Sequence, residues 1–256
     1  MDGDRPTLLR LVLTVLHKRQ FVVFFAIGLY ALDVLVPLLS AWLYHGGSLA
    51  TSRKESLAAL ADAVASHSGA VAGVFLAYLL LKTWLRAGYV RSLTGPFRIG
   101  AASWGQFARL LGLEVILEVV AATAVGAVVL TGGNPAGGGV AVLAVMAIYL
   151  ALLYADYIVV IAGVGPVRAV ALSVRTVRLS LLPSLFILLT VTVIGDATSR
   201  IAADAAAGVA QAAPLFLVQC MVMGSVVFVA DVVLVVIYLS LAESGRLAPS
   251  PDEVSS

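Results

Sequence analysis

The chain has a single cysteine, Cys220, only three histidines, and few charged residues, which make up 12% of its 256 residues. One cysteine excludes an intrachain disulfide and a thiolate metal cluster. The sequence shows no nucleophile–base–acid arrangement, no phosphate-binding loop and no helix with metal-ligand spacing. It therefore predicts a protein that is not an enzyme and that has no cofactor or bound metal.

Apolar residues dominate what is present. Hydrophobic residues make up 61% of the chain and its mean hydropathy is +1.06, which is too apolar for a water-soluble domain of this size. The net charge of +2 is small. Its basic residues flank apolar segments, which indicates contact with anionic lipid headgroups and not with nucleic acid.

Six long apolar stretches divide the chain, and about 20 apolar residues suffice for a helix to cross a bilayer. The fifth stretch is short, so we expect it to gain length by extending at one end. The sequence predicts an all-α integral membrane protein with one six-helix domain over 1–244 and a disordered tail over 245–256. The stretches are Phe21–Tyr44, Gly69–Gly88, Leu110–Leu130, Val140–Val164, Leu181–Ile194 and Pro214–Leu241.

The distribution of basic residues predicts the orientation of this domain. With a cytoplasmic N-terminus, 13 of the 16 Lys and Arg residues fall on the cytoplasmic side, and only Arg53, Lys54 and Arg200 lie outside. The positive-inside rule therefore predicts that both termini are cytoplasmic. Arg outnumbers Lys 13 to 3, and Ala, Gly, Val and Leu dominate, as is typical of a GC-rich bacterial genome. We expect a multi-pass protein of the bacterial cytoplasmic membrane.

A short motif occurs twice, 70 residues apart, each time between an even-numbered and an odd-numbered stretch. Both copies would face the cytoplasm in the same orientation, so the pattern predicts a parallel internal repeat. The alternative is that two similar cytoplasmic turns acquired the same turn-forming residues by convergence. The matching residues are Gly95, Pro96, Arg98, Ala101 and Ser103 in the first copy, and Gly165, Pro166, Arg168, Ala171 and Ser173 in the second.

Each copy of the motif opens an amphipathic segment. Gly-Pro ends the preceding helix and lets a new one start at once. Basic and apolar residues then alternate over 95–109 and over 165–180, and the N-terminal segment 1–20 has the same character. We predict three cytoplasmic helices that lie along the inner membrane surface.

Several ionisable residues lie within the apolar stretches, where a charge is costly and is by default a candidate for function. Two readings stay open: basic residues Lys82 and Arg86 pair with nearby acids and hold the bundle together, or the acids take part in binding or transport. Asp33 has no evident basic partner at its depth, which makes it the sharper functional candidate. The candidates are Asp33, Lys82, Glu114, Glu118, Asp156 and Asp231.

Part of the chain resembles a known group. The run Trp84–Leu93 (WLRAGYVRSL), followed by Phe107–Leu113 (FARLLGL), resembles a large group of bacterial polytopic membrane proteins. That group is similar to the membrane domain attached to some glycerophosphodiester phosphodiesterases. The resemblance covers roughly 70–195 and implies a helical membrane domain without known catalytic residues. The chain has no soluble phosphodiesterase domain, so this activity is not implied.

These observations leave three kinds of function open. We expect an accessory or scaffold component that binds lipid, a small solute or a membrane partner. One alternative is the permease subunit of an export-type ABC transporter, which would work with a separate ATPase subunit. Another is a small secondary transporter that uses Asp33.

The predicted orientation can be tested with reporter fusions. A reporter fused at Gly133, between the third and fourth stretches, should be external, and one fused after Arg246 should be cytoplasmic. Paired phosphatase and fluorescent-protein fusions at both sites would measure this. The opposite pattern at either site would refute the predicted topology.

Overall fold

The computed structural model describes residues 7–44, 53–130, 135–205 and 212–247. Within these ranges the chain is all-α, as predicted, and contains no strand. The helices are α1 (Leu8–Lys18), α2 (Val23–Tyr44), α3 (Arg53–Thr94), α4 (Trp104–Leu130), α5 (Pro135–Leu152), α6 (Ala155–Ala162), α7 (Pro166–Leu179), α8 (Leu181–Ala205) and α9 (Ala212–Glu243).

The six apolar stretches are largely helical, but a turn at Leu153 and Tyr154 divides the fourth between α5 and α6. Among the described residues, three segments are long and apolar enough to cross a membrane, namely Leu143–Ala162, Leu181–Thr198 and Phe216–Glu243. A fourth is added if Leu8–Lys18 and Gln20–Val34, which meet at 71°, form one bent span. The short fifth stretch gains length at its C-terminal end, because α8 continues to Ala205.

Helix α1 lies within the predicted N-terminal amphipathic segment 1–20. Val12 packs into the core, whereas the side chains of Leu8, Leu9 and Leu13 are exposed. A single 3-10 turn, Gln20–Val22, joins α1 to α2. Exposed leucines on a helix with basic residues in its last turn fit a position at a membrane surface.

The first copy of the repeated motif differs from the prediction. Residues 95–103 are not helical, and α4 begins only at Trp104. The Ser92 hydroxyl accepts a hydrogen bond from the backbone N–H of Arg98 at 2.9 Å, which holds this loop against α3. At the end of the loop, the Ser103 hydroxyl accepts a hydrogen bond from the backbone N–H of Gln106. The Gln106 side-chain oxygen in turn accepts one from the backbone N–H of Ala102. Side-chain bonds of this capping type fix where α4 starts and leave the preceding residues as a loop.

The second copy folds as a helix of its own. Pro166 occupies the first turn of α7, as the Gly-Pro pattern predicts. Ser173 is buried, and its hydroxyl accepts a hydrogen bond from the Tyr154 N–H at 3.0 Å. The equivalent Ser103 instead caps α4. The two copies therefore have different local structures, and a repeat of the whole unit stays a prediction.

The C-terminal segment is described only in part. The predicted disordered tail, 245–256, lies outside the described residues from 248 onward. Gly245 has a φ of 72° and ends α9 in a turn, and Leu247 is 9% exposed and packs against the core. Leu247 therefore differs from the prediction, because it packs against the core, whereas Gly245 and Arg246 are exposed.

The centre of the bundle is formed by α2, α3, α6 and α9. The shortest helix, α6, is the most enclosed, with Tyr157, Ile158 and Val159 almost fully buried. Helices α2 and α9 approach closely at Gly224, where a Cβ atom would lie 2.4 Å from the Ile27 Cα. A glycine here is what permits this approach.

We predict that Gly224→Ala destabilises the protein by about 1–3 kcal/mol, because the added methyl group would force α2 and α9 apart. Gly28→Ala is the matched control, since a Cβ atom there meets nothing within 4 Å. It should be neutral or slightly stabilising, because alanine favours a helix by about 1 kcal/mol over glycine. Thermal unfolding in detergent would measure both, and equal stability of the two variants would contradict the close contact.

Candidate functional site

The ionisable residues singled out in the sequence come together in the centre of the bundle, together with Arg86. They come from five helices: Asp33 from α2, Lys82 and Arg86 from α3, Glu114 and Glu118 from α4, Asp156 from α6 and Asp231 from α9. Residues four apart share one face of a helix, so Lys82 and Arg86 project from the same side of α3. The acids divide between these two bases.

The first group, which we call the Arg86 cluster, consists of Arg86, Asp156, Asp231, Tyr157 and Tyr89. The Arg86 Nε and Nη2 donate to Asp156 Oδ2 at 2.8 and 2.6 Å, and Nη1 donates to Asp231 Oδ2 at 2.9 Å. The Tyr157 hydroxyl donates to Asp231 Oδ1. One guanidinium therefore ties α3 to both α6 and α9.

Aromatic rings enclose the same guanidinium. The Arg86 Cζ lies 5.2 Å from the centre of the Tyr89 ring and 5.4 Å from that of Tyr157. Ring faces attract cations, and more strongly where water is excluded. The side chains of Arg86, Asp156 and Asp231 are 18% exposed or less. This cluster is therefore a well-partnered element of the core.

The second group, the Lys82 cluster, consists of Lys82, Asp33, Glu114, Glu118 and Tyr78. The Lys82 Nζ lies 3.6 Å from Asp33, 3.7 Å from Glu114 and 3.4 Å from Glu118. The Tyr78 hydroxyl donates to Asp33 Oδ1 at 2.6 Å. The contacts of Lys82 are longer than those of Arg86, and a single ammonium serves three carboxylates.

The structure corrects the expectation for Asp33. The sequence suggested that it has no basic partner at its depth, but Lys82 reaches it from α3. The flexible four-carbon stem of lysine allows its ammonium to lie away from its own helix position. The depth of a charged residue within its own stretch therefore did not predict its partner on another helix. Asp33 nevertheless keeps 41% of its side chain exposed, the largest fraction among these acids.

The two clusters contain more acid than base. Five carboxyl groups face two basic groups, so three carboxyl groups have no cation of their own among the described ion pairs. An uncompensated charge within a low-dielectric environment is costly. Asp33 and Glu118 are 41% and 32% exposed, so contact with solvent lowers this cost for them, and the excess of negative charge favours a cation over an anion beside the clusters.

A cavity of about 290 Å³, the central cavity, opens between the clusters. It is bounded by α2, α3, α4, α6 and α9, and its polar wall consists of Tyr30, Asp33, Lys82, Arg86, Glu114 and Asp156. Glu118 does not line it. The sequence indicated the charged residues of this wall but not that they enclose space.

A second cavity, the junction cavity, has a volume of about 230 Å³ and lies on the other side of the Arg86 cluster. Its polar wall is formed by Arg86, Asp156, Tyr157, Asp231 and Tyr149. Arg86, Leu117, Asp156 and Val227 line both cavities. The Arg86–Asp156 pair therefore lies between the two cavities.

A break between α5 and α6 positions Asp156. Helix α5 ends at Leu152 and α6 begins at Ala155, so Asp156 lies in the first turn of α6. The freed N–H of Tyr154 bonds to Ser173, and the Tyr154 hydroxyl bonds to Ser180 and Ser184. These side chains satisfy the backbone and hydroxyl groups that a broken helix leaves within the protein.

Sequence reasoning missed the tyrosines that surround the charges. Tyr78 lies one turn before Lys82, and Tyr157 directly follows Asp156. Their positions within apolar stretches beside ionisable residues were the available signal. The motif residues Arg98 and Arg168, by contrast, are exposed and lie apart from both cavities. No group of three His, Cys, Asp or Glu side chains suited to a metal ion occurs in the described ranges.

No family model, curated protein or solved structure matches this chain. The similarity to the membrane domain of glycerophosphodiester phosphodiesterases therefore stays a prediction from the quoted runs of sequence.

We predict that Arg86→Gln destabilises the protein more than Lys82→Gln. The first change leaves Asp156 and Asp231 without a base, and removing one partner of a buried ion pair costs about 3–5 kcal/mol. The pairs of Lys82 are longer and more exposed, so their loss should matter less. Unfolding midpoints in detergent would compare the variants.

Adding Asp156→Asn and Asp231→Asn to Arg86→Gln should recover part of the lost stability, because it removes the two uncompensated charges. Equal losses in the two single variants, or no recovery in the triple variant, would mean that the guanidinium does not hold α6 and α9 in place.

Proposed function

We propose that this protein is a six-span, non-enzymatic component of the bacterial cytoplasmic membrane that binds a small cationic solute in its central cavity. The observation that carries the proposal is the excess of carboxyl groups around that cavity. In this proposal the protein is surrounded by membrane lipids. Association with another membrane protein or with an ATPase subunit would make it part of a transporter.

The membrane placement is supported by sequence and structure together. The three described segments that can cross a membrane account for the fourth, fifth and sixth apolar stretches. Helices α2, α3 and α4 contain the other three. With both termini cytoplasmic, the basic residues of α1 and α7 would face anionic headgroups.

The choice of a cation follows from charge. Asp33, Glu114 and Asp156 line the central cavity, whereas its two bases are already engaged by carboxylates. A cation that enters would lower the cost of the remaining negative charge, whereas an anion would raise it. Tyr30 supplies an aromatic ring in the same wall, and such rings favour ammonium groups.

The size of the cavity points to a small ligand. Its volume of about 290 Å³ lies at the lower limit of about 300–1,000 Å³ that is typical of small-molecule sites. The exposed face of Asp33 provides a carboxylate that can reach such a ligand without breaking the Arg86 cluster. Binding, and not catalysis, is the role that this wall supports, because its carboxylates are held by bases and hydroxyls and not beside an activated nucleophile.

Binding can be measured by isothermal titration of tetramethylammonium against the protein in lipid nanodiscs, with empty nanodiscs as the blank. We predict that Asp33→Asn weakens binding at least tenfold, because it removes the accessible carboxylate. Glu118→Gln is the matched control: both residues pair with Lys82, at 3.6 and 3.4 Å, but only Asp33 lines the cavity.

The control variant should bind tetramethylammonium as the unmodified protein does. Both variants should stay folded, because Lys82 keeps two acidic partners in each. Absence of binding in the unmodified protein, or an equal loss in the two variants, would refute the proposed site.

A further inference from the structure

An apolar groove runs between α8 and α9 on one side of the bundle. It has a volume of about 490 Å³, and its walls include Pro183, Phe186, Thr190, Ser225 and Val229. Its only side-chain hydroxyls are those of Thr190 and Ser225, and that of Ser225 is bonded to the Met221 carbonyl. The groove therefore offers shape and apolar surface and no charge.

The groove is exposed because α8 is peripheral. In the apolar segment of α8, Leu181–Thr198, only 6% of the residues are buried, compared with 56% in the apolar segment of α9. Helix α8 packs mainly against α9. In the proposed membrane placement, the groove would open laterally to the lipid chains.

The groove adjoins the charged interior. Ile187, Val191 and Ala230 line both the groove and the junction cavity. The junction cavity in turn shares Arg86 and Asp156 with the central cavity. An apolar groove that is open at its side therefore lies beside a cavity lined by two carboxylates and a guanidinium.

We propose that the groove and the adjoining junction cavity together bind a lipophilic cation: a single alkyl chain in the α8–α9 groove, with an alkylammonium headgroup beside Asp156 and Asp231 in the junction cavity. This inference goes beyond the proposed function, because the headgroup lies in the junction cavity and not in the central cavity. It rests on the proposed function only in that both require the acidic clusters to attract a cation.

Charge complementarity selects this occupant over a bilayer phospholipid. The junction cavity holds two carboxylates and one guanidinium, and that guanidinium already donates to both carboxylates. A phosphate group there would meet negative charge and find no unengaged base. An alkylammonium group would instead meet the carboxylates and the rings of Tyr149 and Tyr157, which line the same space.

Three ligands separate the contributions of chain and charge. Decyltrimethylammonium has both, tetramethylammonium has the headgroup alone, and decyl sulfate has the chain with the opposite charge. Titrated against the protein in nanodiscs and corrected for partition into empty nanodiscs, decyltrimethylammonium should bind at least tenfold more tightly than either of the other two.

A matched pair of variants tests the groove. Val229→Trp places a large ring in the groove and should weaken the binding of decyltrimethylammonium at least tenfold, with tetramethylammonium unaffected. Val222→Trp is its control, because Val222 lies on the same helix with a similar exposure, 41% against 44%, but does not line the groove. It should alter neither affinity.

The outcomes distinguish this inference from the proposed function. If tetramethylammonium binds but the decyl chain adds nothing, or if Val229→Trp has no effect, the groove site is refuted and the central site stands. If decyl sulfate binds as tightly as the decyl cation, the groove accepts a chain regardless of charge, and the cation assignment is overturned. If the protein is a dimer that Val229→Trp dissociates, a second copy covers the groove and the inference is likewise overturned. If no cation binds, the proposed function fails as well.

Discussion

The guanidinium of Arg86 is the constraint on which the described structure depends. It lies within a bundle of apolar helices, where an unpaired charge is costly, so acids from other helices must reach it. Asp156 and Asp231 do so at 2.6 and 2.9 Å, and the rings of Tyr89 and Tyr157 cover its faces. These contacts specify which sides of α6 and α9 face α3. Nonspecific apolar packing between helices would not fix that choice.

The short helix α6 follows from the same constraint. Its first turn contains Asp156, and Tyr154 just before it depends on Ser173 of α7 for its backbone N–H. The other end of α6 is held by α4, where the Gln106 side chain donates to the Val160 carbonyl and Arg109 to that of Gly163. Because α6 is separated from α5 and held by hydrogen bonds at both ends, Asp156 can contact Arg86 without a corresponding shift of α5.

The sequence predicted those features that depend on composition and local pattern. Long apolar stretches predicted the helices, Pro166 predicted the start of α7, and the ionisable residues inside the stretches indicated the site. Features that depend on contacts between distant segments were missed or wrong. The loop over 95–103 is set by Ser92 and by capping through Gln106, and Asp33 gains its partner only because α2 and α3 pack together. Neither cavity nor the groove leaves a local pattern, because each is space between helices.

The position of α8 leaves an apolar groove beside the charged interior. Five of the described helices contribute to the clusters, and a ligand could not reach the Arg86 cluster through the core without displacing close-packed side chains. Helix α8 contributes to neither cluster and contacts mainly α9, so the groove beneath it lies beside the cavity that Asp231 lines. A simple cation that entered by way of the groove would have to cross apolar space, which is unfavourable, whereas a cation with an alkyl chain would have favourable contacts there. This route therefore favours amphiphilic over simple cations, whereas a small cation can approach the central cavity at Asp33, whose side chain is 41% exposed.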